Sequence, residues 1–239
     1  MKHEIKPLVP VSTEGLEETA RDLLEGKPEE SDDEIDAARK EGFIYIPTIK
    51  ACISKKRDLN GLSWNKAIDK IYNQGVEVKL NNEGIKAEMP TPFEFMSGLI
   101  YVLDNENIPD LTSNERTEFL DDILKTGNYR GNHLNARFIE GSGFNGLGIE
   151  TATFDSSGRL NWKSKPLETC LNENCYADIR KINSQGLFTT KSANQNYTQG
   201  ENAYFWTPVK DKIAARLRFL DNSARIGLHC GGNPDYTDA

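Results

Sequence analysis

Helix-start signals and strand signals lie in different halves of this chain, and their order restricts the folds that it can adopt. Ser63, Thr91 and Thr112 each place a hydroxyl N-cap ahead of an apolar stripe at helical spacing, so each predicts the start of a helix. Beyond residue 127 the chain becomes rich in glycine and asparagine, with short strand-like runs separated by turns. Helices followed by many short strands predict an α+β fold rather than a parallel βαβ series.

Several stretches carry the strand pattern. Phe43–Ile53 is β-branched and aromatic, and Pro47 within it indicates a sheet edge or a bulge. Asn135–Ile139 and Gly148–Phe154 are predicted to flank a glycine-rich loop, and the turn 155–158 leads into a further hairpin strand. In the helix after Thr91, the residues predicted to face the core are Phe95, Met96, Leu99, Ile100 and Leu103.

The stretch from Phe219 to Gly231 alternates between two kinds of position. A period near two is typical of a strand with one packed face. The positions interpreted as inward framework are Phe219, Asp221, Ser223, Ile226, Leu228 and Cys230. The residues between and after them follow no packing rule, which predicts an exposed binding surface. Its predicted members are Leu220, Asn222, Ala224, Arg225, Gly227, His229, Gly231, Gly232, Asp235, Tyr236 and Asp238.

Five residue types are missing from the same end of the chain. Lys, Glu, Gln, Met and Trp make up about a fifth of the sequence, so roughly five would be expected after Lys212, and there are none. These are the amino acids that no codon ending in a pyrimidine encodes. A segment rewritten from asparagine-type AAY codons by randomising the adenines would show this gap, and so would a Gly-, Asn- and Asp-rich loop that avoided them by chance.

Three motifs near this end carry a resemblance to a known family. Tyr204-Phe-Trp-Thr-Pro208, Ala215-Arg-Leu-Arg-Phe219 and Leu228-His-Cys-Gly-Gly-Asn-Pro234 resemble the C-terminal variable region of diversity-generating retroelement target proteins. The similarity is greatest to those of archaea and archaeal viruses. Three earlier segments, Phe43–Ile49, Ser54–Arg57 and Met89–Phe95, look similar to the same group.

The resemblance implies both a fold and a role. The fold would be a C-type lectin fold of the subtype found in formylglycine-generating enzymes, with a variable region at about 204–239. The role would be receptor recognition without catalysis, through a surface made hypervariable by adenine mutagenesis. Trp206, Ala215, Arg216 and Pro234 would then belong to the invariant framework. The alternatives are an enzyme related to formylglycine-generating enzymes and a structural virion module on the same fold.

The N-terminal segment 1–42 differs in composition from the remainder, 43–239. Residues 1–40 hold twelve acids and six bases, which accounts for most of the net charge of −8. Ser31 begins a capping-box pattern and Gly42 occupies the position of a C′ glycine, so a helix is predicted between them. The segment is interpreted as a tether or a docking element for a partner, or alternatively as two helices packed on the body.

Motifs for catalysis and cofactors are weak. Gly141–Gly146 satisfies G-x-G-x-x-G, but Ile149 onward is predicted to be a strand, so a loop is favoured over a dinucleotide site. His229 and Cys230 would point to opposite faces of a strand and could not act as a base and nucleophile pair. His133 has no Cys or His partner at metal spacing, and the calcium-binding motifs of C-type lectins are not reproduced. We therefore predict no cofactor, no metal and no enzyme activity.

The remaining expectations concern partners and location. Four cysteines predict no disulfide framework, although a Cys170–Cys175 bridge remains open. An acidic chain without a basic stripe is a poor nucleic-acid binder. No run approaches the ~20 apolar residues of a membrane span, and the first residues lack the apolar region of a secretory signal. We expect a monomer or small homo-oligomer on a virion or cell surface, binding a protein or glycan on another cell.

Overall fold

A seven-stranded sheet with helices on both faces forms the body of the protein, which is an α+β fold as predicted. The computed structural model describes residues 32–40, 42–55, 62–80, 83–125, 130–218 and 226–235. The helices are α1 (Asp32–Lys40), α2 (Trp64–Ile68), α3 (Pro92–Asp104) and α4 (Ser113–Leu124). Helix α2 continues as one π-helical segment, Asp69–Gly75. Among the described residues, no helix combines the length and apolarity needed to cross a bilayer.

The strands form one large sheet and two short hairpins. The hairpin strands are β1 (Phe43–Ile46) with β2 (Ala51–Ser54), and β3 (Glu77–Leu80) with β4 (Glu83–Lys86). The strands of the large sheet are β5 (Arg130–Glu140), β6 (Leu147–Phe154), β7 (Leu160–Pro166), β8 (Cys175–Asp178), β9 (Asn202–Trp206), β10 (Lys212–Arg218) and β11 (Ile226–Gly232). Their order is β7-β6-β5-β10-β11-β9-β8. All neighbours are antiparallel except β11 and β9, which pair in parallel.

The predicted helix starts are confirmed. The Ser63 hydroxyl accepts a hydrogen bond from the Lys66 amide at 3.4 Å. Thr91 and Thr112 each begin a reciprocal capping box, in which the hydroxyl accepts from the N3 amide and the N3 glutamate accepts from the cap amide. Gly75 ends the π-helical segment with a φ of 80°, a left-handed conformation that favours glycine. Local side-chain chemistry therefore sets the ends of these helices.

The prediction for Phe43–Ile53 is wrong in one respect. The stretch is not one strand but a hairpin, because residues 47–50 form a turn between β1 and β2. Pro47 has no amide hydrogen to donate to a sheet, so the first strand ends at Ile46. Lys50 closes the turn with a φ of 45°. The residue pattern fits one long strand and a hairpin equally well, and only the turn geometry distinguishes them.

Two cores lie on opposite sides of the large sheet. The larger core packs helices α3 and α4 against alternate residues of the strands, including Leu134, Phe138 and Phe205, each fully buried. The smaller core packs Trp64 of α2 and the π-helical segment against the other side, where Ile213 lies. Alternate strand residues thus enter different cores, as the pleat of a strand requires.

Helix α3 is buried on more of its circumference than predicted. Met96 and Leu99 are buried as expected, but Phe93 and Val102 are also buried, because the β1–β2 hairpin packs on a second side of the helix. Phe95, Ile100 and Leu103 are only half-buried. A single apolar stripe does not reveal a second packing partner.

Helix α1 contacts the body through an ion pair between the partly exposed Arg39 and a buried aspartate. Arg39 Nε lies 2.6 Å from Asp110 Oδ1, and the Asp110 side chain is only 2% exposed. Asp110 Oδ2 also accepts a hydrogen bond from the Tyr45 amide at 2.8 Å. Gly42 follows the helix with a φ of 91°, as predicted for a C′ glycine. The rest of the predicted N-terminal segment, residues 1–31 and 41, lies outside the described residues.

Candidate ligand-binding surface

Strand β11, which carries part of the predicted binding surface, lies inside the large sheet. It pairs antiparallel with β10 on one side and parallel with β9 on the other. Ile226, Leu228 and Cys230 are 2%, 2% and 0% exposed, so the prediction that these three face inward is confirmed. A strand held on both sides is a rigid support for the residues on its opposite face.

The predicted surface residues of β11 do not share one environment. His229 and Gly231 are half-buried, whereas Gly227 and Gly232 are buried, so the prediction of exposure is wrong for these last two. A Cβ at Gly227 would lie 1.9 Å from the Tyr204 carbonyl oxygen. The backbones of β9 and β11 approach too closely there for any side chain, which is a common reason for glycine within a strand.

The other two glycines have more room. A Cβ at Gly232 would meet Ile213 Cγ1 at 3.1 Å, a contact that requires a small adjustment. At Gly231 the nearest atoms are His229 Nε2 at 3.3 Å and Val209 Cγ2 at 3.7 Å. Both belong to side chains that can move. Position 231 therefore accommodates substitution on this face, and position 227 does not.

Asp235 is exposed in the turn after β11, where it contacts helix α2. Its Oδ1 accepts a hydrogen bond from Asn65 Nδ2 at 3.0 Å, and the Pro234 carbonyl accepts from the Asn65 amide at 3.4 Å. These bonds attach the turn to the N-terminus of α2. The predicted surface residues that lie outside the described residues are Leu220, Asn222, Ala224, Arg225, Tyr236 and Asp238, and the framework residues there are Phe219, Asp221 and Ser223.

An aromatic row crosses the same face of β8, β9 and β11. It consists of Tyr176, Tyr204, Trp206 and His229. Successive ring centroids are 5.1, 4.6 and 5.2 Å apart, and all three pairs meet edge to face, an arrangement that aromatic quadrupoles favour. Tyr204, Trp206 and His229 are half-buried, and Tyr176 is 8% exposed. Trp206, predicted as framework, thus lies on the face of His229 rather than in the larger core.

Burial determines the charge of His229 and Cys230, the two titratable side chains within β11. It lowers the pKa of His229, so the imidazole is neutral at physiological pH. It raises the pKa of Cys230, which keeps the thiol protonated. The two side chains lie on opposite faces, as predicted, and cannot form a nucleophile and base pair. His229 therefore contributes an uncharged ring to the aromatic row.

An asparagine-rich loop follows residues 191 and 192, which pair with the outer edge of β8. Asn202 is fully buried, and its amide donates to Ser192 Oγ, the Asn194 carbonyl and the Asn196 carbonyl at 3.2, 3.3 and 2.9 Å. Its Oδ1 accepts from the Thr198 amide at 2.8 Å. One buried side chain thereby holds the loop 192–198, while residues 193–196 remain exposed.

The sheet brings two histidines closer than their separation in sequence suggests. His133 of β5 and His229 of β11 both pair with Ala215 of β10, so one strand lies between them. Nevertheless, no group of three or more His, Cys, Asp or Glu in the described part of the chain could hold a metal ion. The residues Gly141–Gly146 form a loop with a short 3-10 turn followed by β6, as predicted, and not a helix start.

The cysteines are free, and a described surface pocket is lined by other residues. Cys170 and Cys175 are both free, so the bridge left open by the sequence is not formed. A surface pocket of about 370 Å³ lies between the π-helical segment, β4 and the β6–β7 turn. Its lining residues are Tyr72, Asn73, Gln74, Gly75, Lys86, Phe154 and Gly158. This set contains no cysteine, histidine or carboxylate, and its ionisable side chains are those of Tyr72 and Lys86.

Sequence reasoning missed that Tyr176, Tyr204 and Trp206 belong to the same surface as His229. The alternation Tyr204-Phe205-Trp206 contained a signal, because it places Phe205 on the opposite side of the strand. No family model matches this sequence, and no curated protein or solved structure matches it either.

Proposed function

We propose that this chain is the diversified target protein of a diversity-generating retroelement of archaeal or archaeal-virus type. In this proposal the chain has a C-type lectin fold and binds a receptor through the C-terminal part of the sheet, without catalysis. It works at a virion or cell surface, and its ligand is a protein or glycan on another cell.

The observation that carries the proposal is that the two faces of β11 lie in different environments. Leu228 and Cys230 are packed into the larger core and Ile226 is also buried, while His229 and Gly231 occupy the opposite, half-buried face. Substitution on that face can change the surface without changing the core. A scaffold of this kind lowers the entropic cost of binding, because the variable side chains start from a rigid strand.

The composition of the chain supports the same proposal. The absence of Lys, Glu, Gln, Met and Trp after Lys212 is what randomised adenines in AAY codons would leave. Gly227 and Gly232 are the described exceptions within the predicted set, since both are buried and the backbone contact of Gly227 with Tyr204 leaves no room for a side chain. We therefore omit positions 227 and 232 from the proposed variable surface.

The test is to sequence the DNA around the 3′ end of the gene. The proposal predicts a near-identical template copy that differs from codons after 212 only where the template has adenine, together with a reverse-transcriptase gene. A fully sequenced neighbourhood without a template and without a reverse transcriptase would refute it. The same alignment would show directly which codons vary.

A further inference from the structure

From the aromatic row we infer that the binding face takes a neutral glycan chain, with Tyr176, Tyr204 and Trp206 as its constant floor. The inference rests on the proposed function, since it names the ligand class of the same face. The three residues precede the predicted variable positions, which begin at Leu220, so they would be present in every variant. Substitutions at positions such as 229 and 231 would then select among glycans.

The loop 192–198 lies next to this face. It is held by Asn202, which shares a face of β9 with Tyr204 because side chains alternate along a strand.

The chemistry of the floor suits a sugar ring. Half-buried aromatic rings offer apolar area together with a polar edge, as in many binding surfaces that remain partly wet. A pyranose has the complementary form, with apolar C–H faces and a belt of hydroxyls. The half-buried rings are those of Tyr204 and Trp206, whose centroids lie 4.6 Å apart on one strand.

The loop 193–196 beside the floor is polar and carries no charged residue. Asn194, Gln195 and Asn196 are exposed along the loop, and amides both donate and accept hydrogen bonds, as sugar hydroxyls require. At the end of β9, Asn174 Oδ1 accepts from the Thr207 amide at 2.9 Å.

Two lysines near these segments are already engaged by carboxylates. Lys191 pairs with Glu173, and Lys210 pairs with Glu140. An acidic sugar would have to compete with these carboxylates for a cation, whereas a neutral sugar needs none. The charge arrangement therefore favours a neutral glycan over a sialylated or sulfated one.

The experiment is a ¹H–¹⁵N NMR titration of the full chain with neutral trisaccharides of glucose, mannose and N-acetylglucosamine. Sialyllactose serves as the acidic comparison, and a neutral proline-rich peptide as the alternative linear ligand. Trp206→Phe assigns the indole signal of Trp206 among the three tryptophans. We expect at least one neutral trisaccharide to shift that signal and the amides of Tyr204 and His229, with weaker or no effect from sialyllactose.

Substitution then tests the floor. Trp206→Ala should weaken saccharide binding by about tenfold or more, the effect of losing one well-placed aromatic contact. Trp162→Phe, in strand β7 at the far edge of the sheet, should leave the affinity within about twofold. If Trp206→Ala fails to fold, Tyr204→Ala and the wild-type shift pattern carry the same test.

Three outcomes would overturn the inference. They are no shift with any neutral trisaccharide at about 10 mM, shifts confined to residues away from the aromatic row, and binding of the peptide but of no saccharide. If a template copy and reverse transcriptase are present, these outcomes refute only the glycan assignment. Saccharide binding at the row without a template would instead leave the inference standing and refute the retroelement proposal.

Discussion

Alanine at Gly227 should destabilise the protein strongly, whereas alanine at Gly231 should not. Both glycines lie on the same face of β11. A Cβ at position 227 would lie 1.9 Å from the Tyr204 carbonyl oxygen, and real Cβ atoms essentially never come within 3.0 Å of such an atom. The strands must therefore move apart by about 1 Å, which takes backbone hydrogen bonds beyond their normal range.

The size of the effect follows from the pairing that is lost. Gly227, Leu228 and His229 pair in parallel with Tyr204, Phe205 and Trp206. Losing two backbone hydrogen bonds at about 1 kcal/mol each, with some loss of packing, should cost about 2–4 kcal/mol. For a chain of this length, that lowers the melting temperature by about 5–15 °C. Alanine at position 231 meets only movable side chains, so its cost should stay within about 0.5 kcal/mol.

The assay is urea unfolding of the wild type and the two variants, followed by near-UV circular dichroism. The midpoint should fall for Gly227→Ala at an unchanged slope and remain in place for Gly231→Ala. A Gly227→Ala protein as stable as the wild type would refute the close parallel contact of β9 and β11. Equal losses in both variants would refute the argument that position 231 has room for side chains.

Three other perturbations test the supports of the fold. Arg39→Met should lower the free energy of unfolding by about 2–4 kcal/mol at pH 7, because it leaves the buried Asp110 carboxylate without its cation. Adding Asp110→Asn should recover part of this loss, measured by urea unfolding. A loss under about 0.5 kcal/mol for Arg39→Met would contradict the ion pair. Asn202→Ala should lower the free energy of unfolding by about 2–3 kcal/mol and speed proteolytic cleavage within loop 192–198, because four hydrogen bonds are lost. Unchanged cleavage would argue against the role of Asn202 in holding the loop. The Thr112 amide and hydroxyl, with Lys55, lower the pKa of Glu115 to about 2. The stability that the Glu115 carboxylate contributes to the fold is therefore complete above the unfolded-state pKa and is lost as the pH falls from about 5 toward 2. Glu115→Gln should flatten the acid dependence of stability measured by thermal unfolding, and an unchanged slope would count against this linkage.

Features set by neighbouring residues could be predicted from the sequence. The capping boxes at Thr91 and Thr112 need only residues three positions apart, and both are present. The inward positions of β11 follow from a period of two, and Ile226 and Cys230 are buried accordingly. Such signals lie within a single element and do not depend on its partner.

Features set by distant contacts could not be predicted in the same way. The parallel pairing of β9 with β11 depends on residues more than twenty positions apart. Glycine has no side chain, so the pattern alone cannot separate a half-buried glycine with room for a side chain, such as Gly231, from one buried by a backbone contact, such as Gly227. The row formed by Tyr176 and Trp206 requires the same knowledge of strand order.

The most direct test of the account is single-molecule sequencing of the 3′ end of this gene across a population that carries it. The account predicts amino-acid differences at positions 229, 231 and 235. Glycine should be retained at 227, and residues 226, 228 and 230 should remain apolar. Differences that fall equally on the inward positions 226, 228 and 230 would contradict the claim that β11 separates a constant core from a variable surface.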